Sequence, residues 1–447
     1  MNYFRFSACT LVLIGSGFGA RIAQALDAPH SLHRAKATEP HLSQSHRSHH
    51  RSAVSRVAKP VVSSTGASAG AVNAGATPAA SKAVIVGHRA HRAARGNVRP
   101  GTRLASLTTH HHRYYERFTA SSFASGDILS GDVTAGEDPV VRKAVVDALG
   151  DMNGTALVID PSNGRILAMV NQKLALSPGA EPCSTIKLTV ALAALSERLV
   201  TSDTPVKLGG FHMNMTQALA KSNNLYFEEL GRELGFERVR YYANQFGLGE
   251  LAGYNIDGEQ LGVYPDKELP ASEGGVARMC SFGQGVSLTP LQLGAFVAAI
   301  ANGGTLYYLQ HPTTLQESAA LQPKVKRTLD IARYLPELQD GMAGAVEYGT
   351  ARKLRTNFHE LPVFGKTGTC SDKGTRFGWF ASYSDSPQGS LVTVFFLEGG
   401  RPTFGPRAAE LTGEFYKNLW DRNWFASKGS QDAASLPAAA ASPQIQP

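Results

Sequence analysis

Three short clusters of side chains carry the chemistry this chain could perform. Ser184-Thr185-Ile186-Lys187 sets a hydroxyl and an amine three residues apart, ahead of the apolar run Leu188-Thr189-Val190-Ala191-Leu192-Ala193-Ala194-Leu195. Residues at that spacing lie on one face of a helix, so the amine reaches the hydroxyl. A helix apolar on nearly every side is predicted to be buried. Burial disfavours the ammonium and lowers the lysine toward the range of a general base. The first turn of the same helix offers backbone N–H groups to a developing oxyanion. Ser222-Asn223-Asn224 follows Ser184 by 38 positions. Ser222 is a candidate proton relay to a leaving amine, and the Asn224 amide is a candidate clamp for a substrate peptide bond. Gly365-Lys366-Thr367-Gly368-Thr369 comes later, with Lys366 lying 144 positions beyond Ser222. Small residues such as Gly368 let a substrate backbone approach a strand closely. Lys366 supplies a fixed charge that would further depress Lys187, while Thr367 and Thr369 supply hydroxyls for a carboxylate. Each cluster alone is weak, since Ser-x-x-Lys recurs by chance and Ser/Asn pairs are common caps. Their order and spacing together make coincidence improbable.

The elements that must hold these clusters are legible at both ends of a body predicted over residues 137–424. Asp138-Pro139 reads as an N-cap followed by proline at the first helical position, with Val141, Val145 and Leu149 at helical spacing and Gly150 closing the helix. Gly154–Asp160 and Arg165–Val170 flank the turn cluster Pro161-Ser162-Asn163-Gly164, a hairpin pattern. Residues 377–383 and 391–397 give two more strands, and 406–420 a final helix with Ala408, Leu411, Phe415 and Leu419 on one side. Strands at both ends with helical sequence between predict an α+β domain whose antiparallel sheet joins both termini around a central buried helix carrying the nucleophile. Trp379, an aromatic on a strand, is expected in the core.

Charge sets the rest of the chain apart. The formal net charge is +8, yet residues 27–125 hold 14 basic against 3 acidic side chains. The body therefore carries a slight acidic excess, which speaks against a basic nucleic-acid-binding surface. Residues 26–136 are rich in Ala, Ser, Gly, His and Arg and are expected to be a disordered basic linker. Its attraction to anionic wall polymers or lipid headgroups would fade with salt. It holds 11 of the 14 histidines, including His49-His50 and His110-His111-His112, but at irregular spacing, so no metal site is expected. Residues 1–25 read as a secretory signal or short membrane anchor: Arg5, an apolar stretch broken by glycines, then Ala23-Gln24-Ala25. The protein is thus expected to be exported to the cell envelope or periplasm. Residues 425–447 read as a loose tail. Cys183, Cys280 and Cys370 would survive signal removal; they read as small buried thiols, with a disulfide permitted by an oxidising compartment.

On the three clusters, in this order, the chain resembles the transpeptidase domain of penicillin-binding proteins, the serine acyl-transferase fold shared with serine β-lactamases. Further segments support the resemblance. Asn255–Gly262 is similar to the family's Asp-Leu-Pro-Gly-Glu-x-x-Gly stretch with one residue missing, and Phe282-Gly283-Gln284-Gly285 with Leu288–Gln292 is similar to its Gly-Gln-Gly segment. Residues 342–351, ending Gly349-Thr350-Ala351, match the run ahead of the Lys-Thr-Gly strand. The resemblance implies acyl transfer on D-alanyl-D-alanine stem peptides of peptidoglycan, inhibition by β-lactams, and no cofactor. It implies Ser184 as nucleophile, Lys187 as base, Ser222 as relay, and the N–H groups of Ser184 and Thr369 as oxyanion hole. A short gap between the first two clusters and the linker upstream imply a minimal, single-module member. A β-lactamase is the first alternative, opposed by the lack of a Glu-x-x-Leu-Asn motif after Ser222. A non-catalytic wall-binding or β-lactam-sensing module held by the basic arm is the second.

Overall fold

The computed structural model describes residues 119–387 and 389–427. The signal, nearly all of the linker with its histidine clusters, and residues 428–447 lie outside them. Strands β1 (Gly154–Asp160), β2 (Arg165–Val170), β3 (Val363–Asp372), β4 (Thr375–Ser384) and β5 (Leu391–Gly399) form one sheet in the order β2-β1-β5-β4-β3. Every neighbouring pair is antiparallel, and β1 and β2 join the carboxyl-terminal strands through β5. The β1–β2 turn forms because the Asp160 carboxylate accepts from the backbone N–H and the hydroxyl of Ser162, while Gly164 takes a φ of 78°.

The helices around the site are, in chain order, α1 (Pro139–Leu149), α2 (Lys187–Ser196), α3 (Met215–Lys221), α4 (Asn224–Leu234), α5 (Gly275–Phe282), α6 (Pro290–Ala301), α7 (Leu335–Glu347) and α8 (Gly405–Asp421). The two-residue period of the strands splits the core in two. Ala156, Val158, Phe380, Phe395 and Leu397 pack with α1 and α8. Leu157, Ile159, Trp379, Val394 and Phe396 face the other way, into the helical layer that contains α2 and α6. The sheet is therefore covered on both faces, which explains why β1 is buried along its whole length. The α1 start is as the sequence predicts: the Asp138 side chain accepts from the N–H groups of Val140 and Val141. Leu188–Leu195 of α2 is buried throughout.

Order begins earlier than the expected 137. Ser122 donates its hydroxyl to the Arg401 carbonyl at 2.6 Å and accepts the Asn153 N–H at 2.9 Å. The Asp132 carboxylate accepts from the N–H groups of Asn171 and Gln172 and pairs with Arg142, which also holds Glu137 at 2.9 Å. These polar anchors have no hydrophobic period, so composition alone hides them. The carboxyl end runs on as well: Phe425 is buried, and Trp424 Nε1 donates to Asp138 Oδ2 at 2.9 Å. No helix among the described residues is long and apolar enough to cross a membrane.

Candidate active site

Ser184 sits in a 3₁₀ turn, Cys183–Ile186, that runs directly into α2. The three-residue spacing delivers what it promises: Lys187 Nζ lies 3.0 Å from Ser184 Oγ. The same nitrogen lies 2.6 Å from Asn224 Oδ1, 3.0 Å from the Ser222 carbonyl oxygen and 3.3 Å from Ser222 Oγ. Lys366 Nζ comes from the opposite side, 2.8 Å from Ser222 Oγ and 2.9 Å from the Thr367 carbonyl. One hydroxyl thus bridges two amines. Both lysine side chains are fully buried, whereas Ser184 and Ser222 are only partly so.

Local structure explains the convergence. Ser222 ends α3 in the left-handed region at φ 54°, which turns the chain so that its hydroxyl enters the site. Asn223 then caps α4 by accepting the Tyr226 N–H, and Asn224 opens that helix facing Lys187. Cys183, just before Ser184, also has a positive φ of 52°. Such backbone costs about 1–3 kcal/mol for each non-glycine residue and persists where the surroundings enforce it. β3 is one of the two edge strands of the sheet, and its alternation turns Lys366, Gly368 and Cys370 to one face. A Cβ at Gly368 would lie 2.8 Å from the Pro182 carbonyl oxygen, so only glycine lets the turn that bears Ser184 lie this close to the strand.

The electrostatics follow from burial. Lys187 is lowered to about 7, chiefly by desolvation, with the Glu228 carboxylate pulling the other way. Lys366 is pushed well below the ordinary lysine range by desolvation and then by the nearby Lys187 charge. The expected depression of Lys187 by Lys366 is therefore seen mainly from the other side, on Lys366. Two amines flanking one hydroxyl favour a single shared proton. A neutral Lys187 has two N–H bonds for Asn224 Oδ1 and the Ser222 carbonyl, which leaves its lone pair for the Ser184 hydroxyl proton. This arrangement can deprotonate Ser184 without a third partner.

The remaining expected residues are placed as follows. Thr367 Oγ1 lies 2.6 Å from Thr350 Oγ1, and Thr369 Oγ1 accepts the Gly405 N–H at 2.9 Å, leaving its own proton to donate. Trp379 is core, as expected: it stacks on Phe396 at 4.0 Å and donates Nε1 to the Glu181 carbonyl, bracing the segment that leads to Ser184. The cysteines correct the reading as buried thiols. Cys183 and Cys370 form a disulfide, and Cys280 is the one free, buried thiol among the described residues. The bridge spans 187 positions and ties the residue before Ser184 to the residue after Thr369. Sequence reasoning missed three contributors: Thr350, Glu228 and this bridge. The adjacency of a cysteine to each of two clusters was the signal for the last. Two of the family-like segments prove structural: Glu259 accepts the N–H groups of Ala252 and Gly253, and Gln292 completes the capping box of α6 with Thr289.

A family model described as the penicillin binding protein transpeptidase domain matches residues 154–417. The chain belongs to that family. The match takes in the sheet and all three clusters. Among curated relatives, stage V sporulation protein D of Bacillus subtilis is 26% identical over 316 residues, covering 59% of this chain and 48% of that protein. The peptidoglycan D,D-transpeptidase MrdA of Acinetobacter baumannii is 24% identical over 342 residues, covering 59% and 50%. The chain spans about half the length of the curated relatives it matches. A solved peptidoglycan glycosyltransferase from Burkholderia ambifaria superposes with a TM-score of 0.55 at 20% identity, covering 65% of this chain and 98% of that one. At that identity the likeness speaks for the penicillin-binding transpeptidase fold alone.

Proposed function

We propose that this penicillin-binding family member is a serine D,D-transpeptidase or D,D-carboxypeptidase acting on the D-alanyl-D-alanine ends of peptidoglycan stem peptides. The observation that carries the reading is the unbroken chain of contacts Ser184–Lys187–Ser222–Lys366 around two buried amines. Ser184 Oγ attacks the carbonyl of the penultimate D-alanine while neutral Lys187 takes its proton. The tetrahedral oxyanion lies between the N–H groups of Ser184 and Thr369. Collapse breaks the peptide bond, and the Lys187 proton passes through Ser222 to the departing amine. Released D-alanine leaves an acyl-Ser184 ester. A peptide amine or water then attacks that ester, and Ser184 recovers its proton along the same route. Lys366, Thr367 and Thr369 hold the substrate carboxylate, with Asn224 on the peptide amide. The relatives named D,D-transpeptidases support this reading, as does the depressed Lys187. The signal-like start and the basic linker fit an exported, envelope-located protein that meets anionic wall material, with β-lactams as covalent inhibitors.

Labelled benzylpenicillin tests the proposal. The intact protein is expected to form a long-lived adduct, and Ser184→Ala to form none, as read by mass spectrometry. An adduct that persists in Ser184→Ala would remove the assigned nucleophile. An adduct that turns over within seconds with release of hydrolysed antibiotic would favour a β-lactamase. Wall binding without any adduct would favour the non-catalytic module.

A further inference from the structure

We propose that Thr350 is a positioning residue for the carboxylate end of the substrate, acting through Thr367; this rests on the acyl-transfer reading above. Thr350 follows α7 in the stretch Tyr348-Gly349-Thr350-Ala351 and makes two contacts that join separate parts of the site. Its backbone N–H donates to the Ala220 carbonyl at 3.1 Å. Ala220 belongs to the last turn of α3, where helix carbonyls have no partner within the helix. This is the turn that presents Ser222. The approach is too close for a side chain one residue earlier, because a Cβ at Gly349 would lie 2.1 Å from the Ala220 oxygen. The Thr350 hydroxyl then meets the Thr367 hydroxyl at 2.6 Å, next to Lys366. Thr350 therefore ties the relay turn and the edge strand β3 into one frame.

The hydroxyl inventory allows either donor in this pair, and one of the two directions serves a ligand. Each threonine has one proton to donate, and a 2.6 Å contact holds one proton between the two oxygens. When Thr350 donates to Thr367, the Thr367 proton is left for an acceptor in the cleft, beside the Lys366 amine that donates to the Thr367 carbonyl. Thr367 is nearly fully buried, so its rotamer is set by such contacts and not by water. A substrate carboxylate is the acceptor this geometry serves. Without the Thr350 hydroxyl, Thr367 loses the contact that fixes its rotamer, and the preference for a charged terminus drops.

The test compares two D-alanyl thioesters with full-length protein, one ending in a carboxylate and one in the matching carboxamide. Thr350→Val keeps the shape and deletes the hydroxyl; Thr350→Ser keeps the hydroxyl. The expected result is that Thr350→Val lowers kcat/KM for the carboxylate compound by about tenfold, mainly through KM, as for one hydrogen bond to a charged group. The carboxamide compound is expected to be unaffected and Thr350→Ser to retain the preference. The ratio of the two compounds is immune to a partly unfolded preparation. A ratio unchanged in Thr350→Val would overturn the role, however much both rates fall. Wild-type protein acylated by neither thioester nor penicillin would instead overturn the acyl-transfer reading, and this role with it.

Discussion

At the scale of single residues, the site works by keeping amines dry while leaving hydroxyls reachable. Since Lys187 must be neutral to accept the Ser184 proton, penicillin acylation is expected to rise with pH through about 7 and level off above it, in a stopped-flow pH profile. Glu228 raises the Lys187 value, so Glu228→Gln is expected to move that midpoint to lower pH while leaving the plateau in place. A midpoint unmoved, or moved upward, would mean that Glu228 does not reach Lys187. Much of this was readable beforehand. The Ser184–Lys187 spacing predicts the 3.0 Å contact, because three residues on a helix leave few alternatives. Glu228 was not readable. It acts through space from α4, and nothing in its own neighbourhood along the chain marks it. Thr350 lies in a stretch noted for resemblance alone, since the geometry that gives its hydroxyl a task comes from β3.

At the scale of elements, period and capping identified what could be identified. The hairpin of β1 and β2, the strands β4 and β5, and the helices α1 and α8 lie within a few residues of their predicted bounds. Strand β3 was anchored only by its Lys-Thr-Gly cluster, because glycines and threonines mute an alternating pattern. The helix α2 is apolar on nearly every side, and α6 rivals it, with Pro290–Ile300 buried without a break. Its start was signalled by Thr289-Pro290 followed by Gln292, a capping box with proline at the first position. Packing between elements was beyond reach, as α8 illustrates. A Cβ at Gly413 would lie 2.4 Å from the Leu354 carbonyl oxygen, which is backbone and cannot step aside. Gly413→Ala is therefore expected to destabilise the domain by about 1–3 kcal/mol in spite of alanine's higher helix propensity. Thermal unfolding reads this, and a variant as stable as the parent would show that the 3₁₀ turn Arg352–Thr356 and α8 yield more easily than their contact suggests.

For the molecule as a whole, the Cys183–Cys370 bridge is the longest covalent constraint among the described residues, closing 187 positions. Cys370→Ser is expected to cost about 2–5 kcal/mol of stability. A reductant should bring the wild type to the same lower melting point and leave the variant unmoved; equal melting points throughout would show that the bridge contributes nothing. The fold class was legible because strands at both ends require a shared sheet. The extent of the body was not, because residues 119–136 are fixed by carboxylates and hydroxyls and lack an apolar rhythm. The sheet order has one more consequence. β1 finds its inner neighbour only in β5, and Ala156 pairs with Phe395. A nascent chain leaving the ribosome therefore carries β1 and β2 as a lone hairpin, marginal in water, until almost the entire domain has been synthesised. The final architecture closes late and all at once, so anything that must handle this polypeptide as a thread has nearly the full duration of translation in which to do it.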